Sequence, residues 1–383
     1  MAVKGPLSGV TVVDLSRILA GPYCTFLMAQ LGARVIKVEA PGKGDDAREY
    51  GPFRSGVSTY FASVNRGKQS IALDLRGDSD KRVFEKLLDK ADVLVENFRP
   101  GTMEKFGYGW DRLHPRYPRL IYAAASGFGH TGPFSQHPAY DMVVQGLGGI
   151  MSVTGHKGQP PVRIGVSVGD LGAGLYAAIA VNAALLHREK TGEASKVDIA
   201  MFDCQLALLE NAIMRYTVTG EIPEPLGARH PTITPFEAFS TADNYIIIAA
   251  GNDHLFKQLC DALGRPEMAG KPEYVSNDLR LRHQPQLKAE IELVLRAKPA
   301  AYWLDLFDKT GIPSGPINNI PQALAHPQVS ARDMLVTVND PVAGPLKVAG
   351  NPLKISGFPE PKTHDPAPAL DADRAAILKE LGL

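Results

Sequence analysis

The sequence predicts an α/β protein in which a large domain, built on a mainly parallel sheet, is followed by a smaller α+β domain. The chain has 383 residues, which is enough for two domains. Its first half alternates apolar runs with helical segments, and the composition of the sequence changes near residue 220, where a Pro-rich stretch begins. Hydrophobic residues make up 44% and charged residues 21%, which is typical of a globular protein.

The first half consists of strand–helix–strand units. Apolar runs predict strands at Val10–Leu15, Arg34–Glu39, Ser70–Leu75, Ala91–Phe98 and Leu120–Ala125, with helices after Gly21 and at Asp78–Lys90. Units of this spacing indicate a Rossmann-like parallel sheet with helices on both faces. Ligands bind beyond the carboxyl ends of such strands. The loops expected on that rim are Ser16–Pro22, Ala40–Arg48, Asn97–Lys105 and Ser126–Pro133.

The rest of the chain divides into a helical part, a small domain and a return segment. Helices are predicted at Asp141–Val153, Leu171–Glu189 and Ala200–Arg215, with a strand at Lys196–Ile199. After a linker at 221–235, a hairpin is predicted at Ala238–Ala250, and helices near His254–Leu263, Gln286–Arg296 and Ala300–Lys309. We therefore predict a large domain at 1–225 and a small domain at 226–325. The Pro/Gly-rich segment 326–383 should return to the large domain, be poor in secondary structure and end in a helix at Asp371–Leu381.

Composition limits the kinds of partner and the cellular compartment that we expect for this protein. Lys plus Arg and Asp plus Glu each number 41, so no net charge favours nucleic acid or an anionic membrane. The three cysteines (Cys24, Cys204 and Cys260) form no CxxC pair, which favours a reducing compartment and argues against a zinc site. The start lacks an apolar signal region, and the stretch 171–186 is short and Gly/Ala-rich for a membrane span. We expect a soluble cytoplasmic protein without a bound metal.

A dinucleotide-binding oxidoreductase is the first alternative for an α/β opening, with Glu39 as the ribose-binding acid. The first turn, Ser16–Pro22, lacks the GxGxxG pattern, however, and Pro22 removes a backbone N–H that a pyrophosphate needs. No Walker A or HExxH pattern occurs. The sequence therefore argues against a nicotinamide cofactor, although the α/β pattern alone leaves the oxidoreductase class open.

Asp170 is the most informative acidic residue. It lies in the motif GDLGAG at 169–174, directly before the predicted long helix. One interpretation is a helix N-cap. The other is a nucleophile, because the flanking glycines leave room for a bulky ligand and a helix N-terminus stabilises an anion or an oxyanion. The two roles are compatible, and Asp141, after Tyr140, is expected to cap the helix at 141–153 in the same way.

Six segments, taken together, resemble class III CoA-transferases, the family that includes formyl-CoA:oxalate and carnitine CoA-transferases. They are residues 7–45, 65–76 (NRGKQSIALDLR), 91–107, 126–133 (SGFGHTGP), 139–141 (AYD) and 169–174 (GDLGAG). Their order and spacing are similar to those of the family over nearly the whole chain, which makes the resemblance specific.

The resemblance implies a reaction, an assembly and a set of ligand contacts. It places the family's nucleophilic aspartate on Asp170, which would carry aspartyl anhydride and aspartyl-CoA thioester intermediates, with Tyr140 positioning the reacting carbonyl. It also implies an interlocked homodimer and a reaction without metal or ATP. The family's coenzyme A contacts fall on Leu19, Ala20, Leu73, Asp74, Leu75, Arg76, Asn97, Phe98, Arg99, Lys105, Ala139 and Tyr140.

Departures from the family pattern bear on the substrate. The family's racemases have a His where Tyr140 stands here, and a phenol is a poor base near neutral pH, so transfer is favoured over racemisation. Leu19 replaces a Gln and Ala40 replaces an Arg of the formyl-CoA enzyme, which argues against oxalate as the substrate. The glycine-rich lid of that enzyme is reduced here to residues 249–252.

Similarity within the family favours succinyl-CoA as the donor and a dicarboxylate such as itaconate, glutarate or hydroxymethylglutarate as the acceptor. The far carboxylate needs a cation, for which the candidates are Arg48, Arg163 and His230. Backbone N–H groups near Leu171–Gly172, and those of Gly251 and Asn252, are candidate oxyanion donors. Two other function classes stay open: an acyl-CoA racemase or isomerase, and a non-catalytic coenzyme A-binding protein.

Overall fold

The computed structural model describes residues 4–359, 361 and 363–383, and this part of the chain forms two compact units. The first consists of the residues up to Ser152, Val162–Pro223 and Pro327–Leu383, and the second of Val153–Pro161 and Glu224–His326. The divisions fall close to the predicted borders, but the segment 153–161 goes with the second unit. Residues 1–3, Glu360 and Lys362, which belong to the predicted first domain and return segment, lie outside the described residues.

The first unit opens with alternating strands and helices. Its strands are β1 (Thr11–Asp14), β2 (Arg34–Glu39), β3 (Phe53–Arg54), β4 (Val57–Ser58), β5 (Gln69–Ala72), β6 (Val93–Glu96), β7 (Ile121–Ser126) and β8 (Lys196–Ala200). Its helices are α1 (Ala20–Gln30), α2 (Thr59–Asn65), α3 (Asp78–Leu88), α4 (Thr102–Phe106), α5 (Trp110–Arg116), α6 (Asp141–Leu147), α7 (Val168–Thr191), α8 (Met201–Leu208) and α9 (Glu210–Thr219).

Six of these strands form one parallel sheet in the order β5-β2-β1-β6-β7-β8. Alternate residues of each strand point to opposite faces, and both faces are covered by helices. Val12 of β1 belongs to a core with α1 and α7, whereas Val13 belongs to a core with α3 and α5. The prediction of an α/β fold with a parallel sheet is confirmed.

The strand order reverses between β1 and β6. Connections from β1 run outward through β2 to β5, whereas those from β6 run through β7 to β8 in the other direction. Loops on the two sides of such a reversal leave the sheet in opposite directions and open a crevice at the carboxyl ends of the strands. Residues 15–19 after β1 and residues 97–101 after β6 are the loops that flank this crevice.

The second unit is α+β. Its strands β9 (Phe236–Ser240), β10 (Tyr245–Ala249) and β11 (Ser314–Pro316) form an antiparallel sheet in the order β11-β10-β9. Its helices are α10 (Asp253–Ala262), α11 (Asn277–Arg282), α12 (Gln284–Leu295), α13 (Ala300–Thr310) and α14 (Ile320–Leu324). The core contains Phe239, Ile248, Leu259, Trp303 and Phe307. The predicted hairpin and the three predicted helices are all present.

The return segment contains more secondary structure than predicted. After α15 (Pro327–Ala331), β12 (Leu335–Asp340) and β13 (Gly344–Ala349) pair along their whole length, and the chain ends in α16 (Arg374–Leu381). The alternation Val336-Thr337-Val338, with both valines buried, is a strand pattern that the surrounding Pro and Gly residues obscured. The expectation of a segment poor in secondary structure is therefore wrong.

Three helical predictions also need correction. Helix α6, predicted to extend to Val153, ends at Leu147. Helix α7 begins at Val168, three residues earlier than expected, and the segment predicted as one helix at Ala200–Arg215 is divided at Leu209 into α8 and α9. Helix α7 is long and apolar enough to cross a membrane, the one such helix found among the described residues. Half of its most apolar window is buried within the structure, and core helices of soluble proteins meet the same criterion.

Candidate active site

Two neighbouring cavities lie at the carboxyl ends of the parallel strands in the first unit. The strand cavity, of about 560 Å³, is lined by loops that follow β1, β2, β5 and β6. The aspartate cavity, of about 210 Å³, is lined by residues of the loops after β1, β6 and β7 and by Asp170. Arg17 and Phe98 line both cavities, so the two meet at these side chains. The larger cavity lies within the range of ligand pockets, roughly 300–1,000 Å³.

The residues expected to contact coenzyme A collect around these two cavities. Leu73, Asp74, Leu75 and Arg76 line the strand cavity. Leu19, Ala20, Asn97, Arg99, Ala139 and Tyr140 line the aspartate cavity, and Phe98 lines both. Lys105, on α4, lines neither. A set predicted from scattered segments is thus brought together in space by the strand reversal.

Asp170 lies in the first turn of α7, as its third residue, and Ser167 occupies the N-cap position. The expectation that Asp170 precedes the helix is therefore wrong, as is the interpretation of Asp170 as the N-cap. The N–H of Leu171, a candidate oxyanion donor, instead bonds to the carbonyl of Ser167 at 2.9 Å. The Asp170 carboxylate has no hydrogen bond or ion pair within the described part of the chain. Burial, and then the charge of Asp141, raise the pKa of Asp170 to about 7. Near neutral pH a substantial fraction of Asp170 is therefore ionised and unpaired, as a nucleophile requires.

Two side chains of α6 hold the segment that leads to Asp170. Asp141 does not cap its own helix, whose N-cap is Tyr140. Instead, Oδ1 of Asp141 accepts a hydrogen bond from Gly169 N at 2.8 Å, and Oδ2 accepts one from Gln145 Nε2 at 2.8 Å. Gln145 is fully buried, and its Oε1 accepts a hydrogen bond from Ile164 N at 2.9 Å. Asp141 therefore both orients the start of α7 and places a negative charge near Asp170.

Asp141→Asn is expected to move the acid limb of the pH–rate profile to lower pH. Asn retains an oxygen that accepts from Gly169 N, but it removes the like charge that raises the pKa of Asp170. A carboxylate attacks a carbonyl in its ionised form, and a lower pKa of Asp170 gives a larger ionised fraction at pH 6.

The measurement is kcat/KM from pH 5 to pH 9. Asp111→Asn, at an exposed first-turn aspartate of α5, is the matched control and should leave the limb in place. A limb that stays at the native pH in Asp141→Asn contradicts the electrostatic role of Asp141.

Helices α1 and α7 begin close together at the aspartate cavity. Gly174 permits this approach, because a Cβ there would lie 2.7 Å from the carbonyl oxygen of Ala20. The first N–H groups of a helix have no intrahelical partner, and the helix dipole adds partial positive charge at that end. Leu19 and Ala20, at the start of α1, line the cavity with Asp170. The local field thus favours negative charge that develops during a reaction at Asp170.

Arg17 and Arg99 are the arginines on the lining of the aspartate cavity. Arg17 pairs with Asp46 at 3.0 Å, and its guanidinium lies 5.4 Å from the centre of the Phe98 ring. The guanidinium of Arg99 has no hydrogen bond or ion pair to any described residue. Arg99 is therefore available to an anionic ligand, whereas Arg17 is already partly neutralised.

The residues predicted to hold a distal carboxylate lie elsewhere. Arg48 donates to both oxygens of Glu39, at 2.7 and 2.8 Å, and lies over the Phe61 ring, so it does not offer a free cation. The same ion pair occupies Glu39, which leaves it unsuited to bind a ribose. Arg163 is exposed and donates to the carbonyls of Ile164 and Gly165. Neither arginine lines the cavities.

The remaining candidates belong to the second unit. His230 stacks on Phe236 at 5.2 Å between ring centres. Asn252 caps α10 by accepting from Leu255 N, and the carbonyl of Gly251 accepts from Arg280. These contacts give each residue a local structural role within its own unit.

Tyr60 is a neighbour of Asp170 that the sequence did not reveal. Burial, followed by the charge of Asp170, raises the pKa of Tyr60 to about 12. Tyr60 is in α2, a short helix that the sequence analysis missed, and no motif marked it. His137 and Met201 on the cavity lining were missed as well, because packing rather than sequence spacing brings them there.

The described residues contain no group of three or more His, Cys, Asp or Glu placed to hold a metal ion. The polar lining of the two cavities instead offers arginine side chains and helix N-termini, which suit phosphates and carboxylates.

Comparison with known proteins agrees with this arrangement. The model of CoA-transferase family III matches residues 7–374. The chain belongs to this family. The prediction made from the six sequence segments is confirmed, and the protein is a CoA-transferase.

Relatives cover nearly the full length of this CoA-transferase. An acetyl-CoA:oxalate CoA-transferase of Acetobacter aceti is 46% identical, over 98% of this chain and 96% of the relative. The human succinyl-CoA:glutarate CoA-transferase is 37% identical, over 98% of this chain and 86% of its own. A crystal structure of a CAIB/BAIF family protein from Brucella suis aligns with a TM-score of 0.86 at 38% identity, covering 99% of this chain and 100% of the other.

Proposed function

We propose that the enzyme moves coenzyme A from an acyl-CoA donor to a small carboxylic acid, with Asp170 as the covalent nucleophile. The observation that carries this proposal is an unpaired, partly buried carboxylate in a cavity that meets a larger cavity at Arg17 and Phe98. A carboxylate held in this way has few roles other than bond formation or proton transfer.

The proposed reaction exchanges one thioester for another in balanced steps. Ionised Asp170 attacks the donor thioester carbonyl, the carbon–sulfur bond breaks, and an aspartyl–acyl anhydride and free coenzyme A thiolate form. The thiolate then attacks the aspartyl carbonyl, which expels the donor carboxylate and leaves an aspartyl-CoA thioester. The acceptor carboxylate repeats these steps in reverse order. No thioester bond is lost overall, so the exchange needs no ATP.

The two cavities suggest how coenzyme A lies on the enzyme. The strand cavity, of about 560 Å³ and lined by Leu73–Arg76 and Phe98 among others, would hold the nucleotide. The pantetheine arm then passes Phe98 into the aspartate cavity, where Leu19, Ala20 and Asp170 meet. The free guanidinium of Arg99 is suited to a phosphate or to the carboxylate of the acyl group.

For the substrates, we propose succinyl-CoA as the donor and a dicarboxylate as the acceptor, with itaconate, glutarate and hydroxymethylglutarate as the first candidates. The human relative named for succinyl-CoA and glutarate supports this choice. The relative named for oxalate shares 46% identity, so oxalate and acetyl-CoA also belong in the substrate screen.

The decisive experiment measures new CoA esters by mass spectrometry. Succinyl-CoA and acetyl-CoA are each incubated with a panel of mono- and dicarboxylic acids, and the reaction is repeated in deuterium oxide. Transfer predicts a new CoA ester that depends on the acceptor. Solvent deuterium in the recovered donor, without any new ester, would indicate a racemase or isomerase. Binding without turnover would indicate a coenzyme A-binding protein.

We further propose that the enzyme functions as a homodimer. Helix α9 has no buried residue among its ten, and α7 exposes the apolar side chains of Leu175, Ile179 and Leu186 to solvent. Apolar helix faces of this extent are normally covered by another surface. A second copy of the chain would cover them, in keeping with the interlocked dimer that the family resemblance implies.

A dimer predicts a solution mass near twice the 41.2 kDa of the chain. Light scattering after size exclusion measures it. Ile179→Asp is expected to yield monomer or aggregated protein, because Ile179 is 64% exposed in the isolated chain and a buried charge at an interface is costly. Val342→Asp, at an exposed apolar residue of the β12–β13 turn, is the control. A monomeric native protein would contradict the proposal.

A further inference from the structure

The turn between β1 and α1 lies between the two cavities and contains a strained residue. Arg17 lines both cavities, Ser16 lines the strand cavity, and Ile18 and Leu19 line the aspartate cavity. Ile18 has a φ of 67°, which is in the left-handed region. A β-branched residue keeps this conformation only when its surroundings enforce it, and such strain concentrates at functional sites.

Side chains from outside the turn hold its backbone. Asp14 Oδ1 accepts from Ser16 N at 2.9 Å, and Lys37 Nζ donates to the carbonyl of Ser16 at 2.6 Å. The amide of Asn97 accepts from Arg17 N and donates to the carbonyl of Arg17, both at 2.7 Å. The N–H and C=O groups of both Ser16 and Arg17 are thus bonded to side chains, so the conformation is fixed by the fold rather than by the turn sequence.

Asp45 supplies the hydrogen bond to the strained residue. Its Oδ1 accepts from Ile18 N at 3.0 Å and from Ala47 N at 2.9 Å. Its Oδ2 forms an ion pair with Lys37 Nζ at 2.8 Å, and both side chains are completely buried. Because Lys37 also binds the carbonyl of Ser16, the ion pair links both ends of the strained segment.

We propose that Asp45 is a positioning residue for the transfer reaction. By holding Ile18 in the left-handed conformation, it fixes the turn over which the acyl thioester reaches Asp170. This inference rests on the proposed function, because it assumes that one coenzyme A thioester spans both cavities. Attack requires the reacting atoms to lie about 3–3.5 Å apart, so a small displacement of the turn lowers kcat more than it weakens binding.

A double-mutant cycle tests the proposal. Asp45→Ala removes the acceptor for Ile18 N–H, and kcat is expected to fall about 10- to 100-fold, the effect of losing one charge-assisted hydrogen bond. The KM for the acyl-CoA should change less. Glycine adopts positive φ without penalty, so Ile18→Gly in the Asp45→Ala background should restore several-fold of the lost kcat.

Ile18→Ala is the matched control, since it truncates the side chain but retains the Cβ that disfavours the left-handed conformation. The proposal predicts recovery with Gly and none with Ala. Equal effects of Gly and Ala would overturn it, because they would show that Asp45 serves only as the partner of the buried Lys37. Thermal unfolding at one protein concentration verifies that each variant is folded.

If Asp45→Ala does not fold, the cycle is repeated with Asp45→Asn, which keeps an acceptor oxygen but loses the charge. Because Asn accepts more weakly from Ile18 N–H than Asp does, kcat should fall less. Recovery by Ile18→Gly and not by Ile18→Ala supports the inference, and equal effects of the two substitutions contradict it. If the native enzyme transfers coenzyme A but Ile18→Gly gives no specific recovery in the Asp45 variant, this inference alone is overturned. A native enzyme that transfers nothing overturns the proposed function.

Discussion

Asp170→Asn is expected to lower kcat for coenzyme A transfer by about a thousandfold or more. In the proposed mechanism Asp170 is the covalent nucleophile, and its loss removes the route itself, so the effect is much larger than the loss of one hydrogen bond. Asn retains the size and shape of the side chain, and the native carboxylate has no partner within the described chain, so the fold should be preserved. Binding of free coenzyme A should therefore change little.

The proposed covalent intermediate gives a second measurement. Native enzyme mixed with the acyl-CoA donor and treated with hydroxylamine or borohydride should carry a modification on the peptide that contains residues 169–174. The Asp170→Asn peptide should carry none. Asp78→Asn is the matched control, because Asp78 is also in the first turn of a helix, α3, but is exposed and outside both cavities. Native-like turnover by Asp170→Asn, or an unmodified native peptide, contradicts the mechanism.

The sheet and the family motifs can be predicted from the sequence because each depends on a short, continuous stretch of residues. Each buried parallel strand is a short apolar run, so five of the six strands of the sheet were placed within a few residues from the first half of the chain, and β8 from a separate run. Asp170 was found because glycines on both sides of an acidic residue mark a close approach. The start of α7 was misplaced, although Ser167 and Asp170 form an S-x-x-D pattern that signals a helix start.

Other features of the site depend on pairs of residues that are distant in the sequence. Arg48 is a candidate for binding the substrate by sequence, but it forms an ion pair with Glu39 instead. No sequence pattern predicts this ion pair. The strain at Ile18 is equally hidden, since it is imposed by Asp45 through a bond across 27 residues. Tyr60 lies near Asp170 only because α2 packs there. Such contacts are properties of the tertiary fold, and single-sequence patterns carry no record of them.

A further long-range pair, Asp14 with Lys68, gives the second large expected effect. Lys68 is completely buried, and its Nζ contacts Asp14 Oδ2 at 3.0 Å, Thr25 Oγ1 at 2.7 Å and Asn65 Oδ1 at 2.8 Å. Burial alone would raise the pKa of Asp14, but the charges of Lys68 and then Lys37 lower it to about 2. Burial lowers the pKa of Lys68 itself to about 8.

Lys68→Met is expected to reduce the free energy of unfolding by about 3–5 kcal/mol at pH 7, because it leaves the Asp14 carboxylate buried with much of its charge uncompensated. The sign of the pH dependence follows from the two pKa shifts. The pKa of Asp14 is lowered in the folded state, so its pairing stabilises the protein fully at pH values above the ordinary pKa of 3.8. This contribution is lost as the pH falls towards 2. Above pH 8 the native Lys68 loses its own charge. The difference between native and variant should therefore be largest between about pH 4 and pH 8.

Denaturant unfolding of both proteins at equal concentration measures this difference. Replacing both partners, as in Asp14→Asn with Lys68→Met, should recover part of the lost stability, because the unpaired charge is removed with its partner. Lys86→Met, at a lysine of α3 that is 55% exposed and pairs only loosely with Asp89 at 3.7 Å, is the control and should leave the midpoint unchanged. A Lys68→Met variant as stable as the native enzyme would show that Ser16, Thr25 and Lys37 alone satisfy Asp14, and that the turn over the active site does not depend on Lys68.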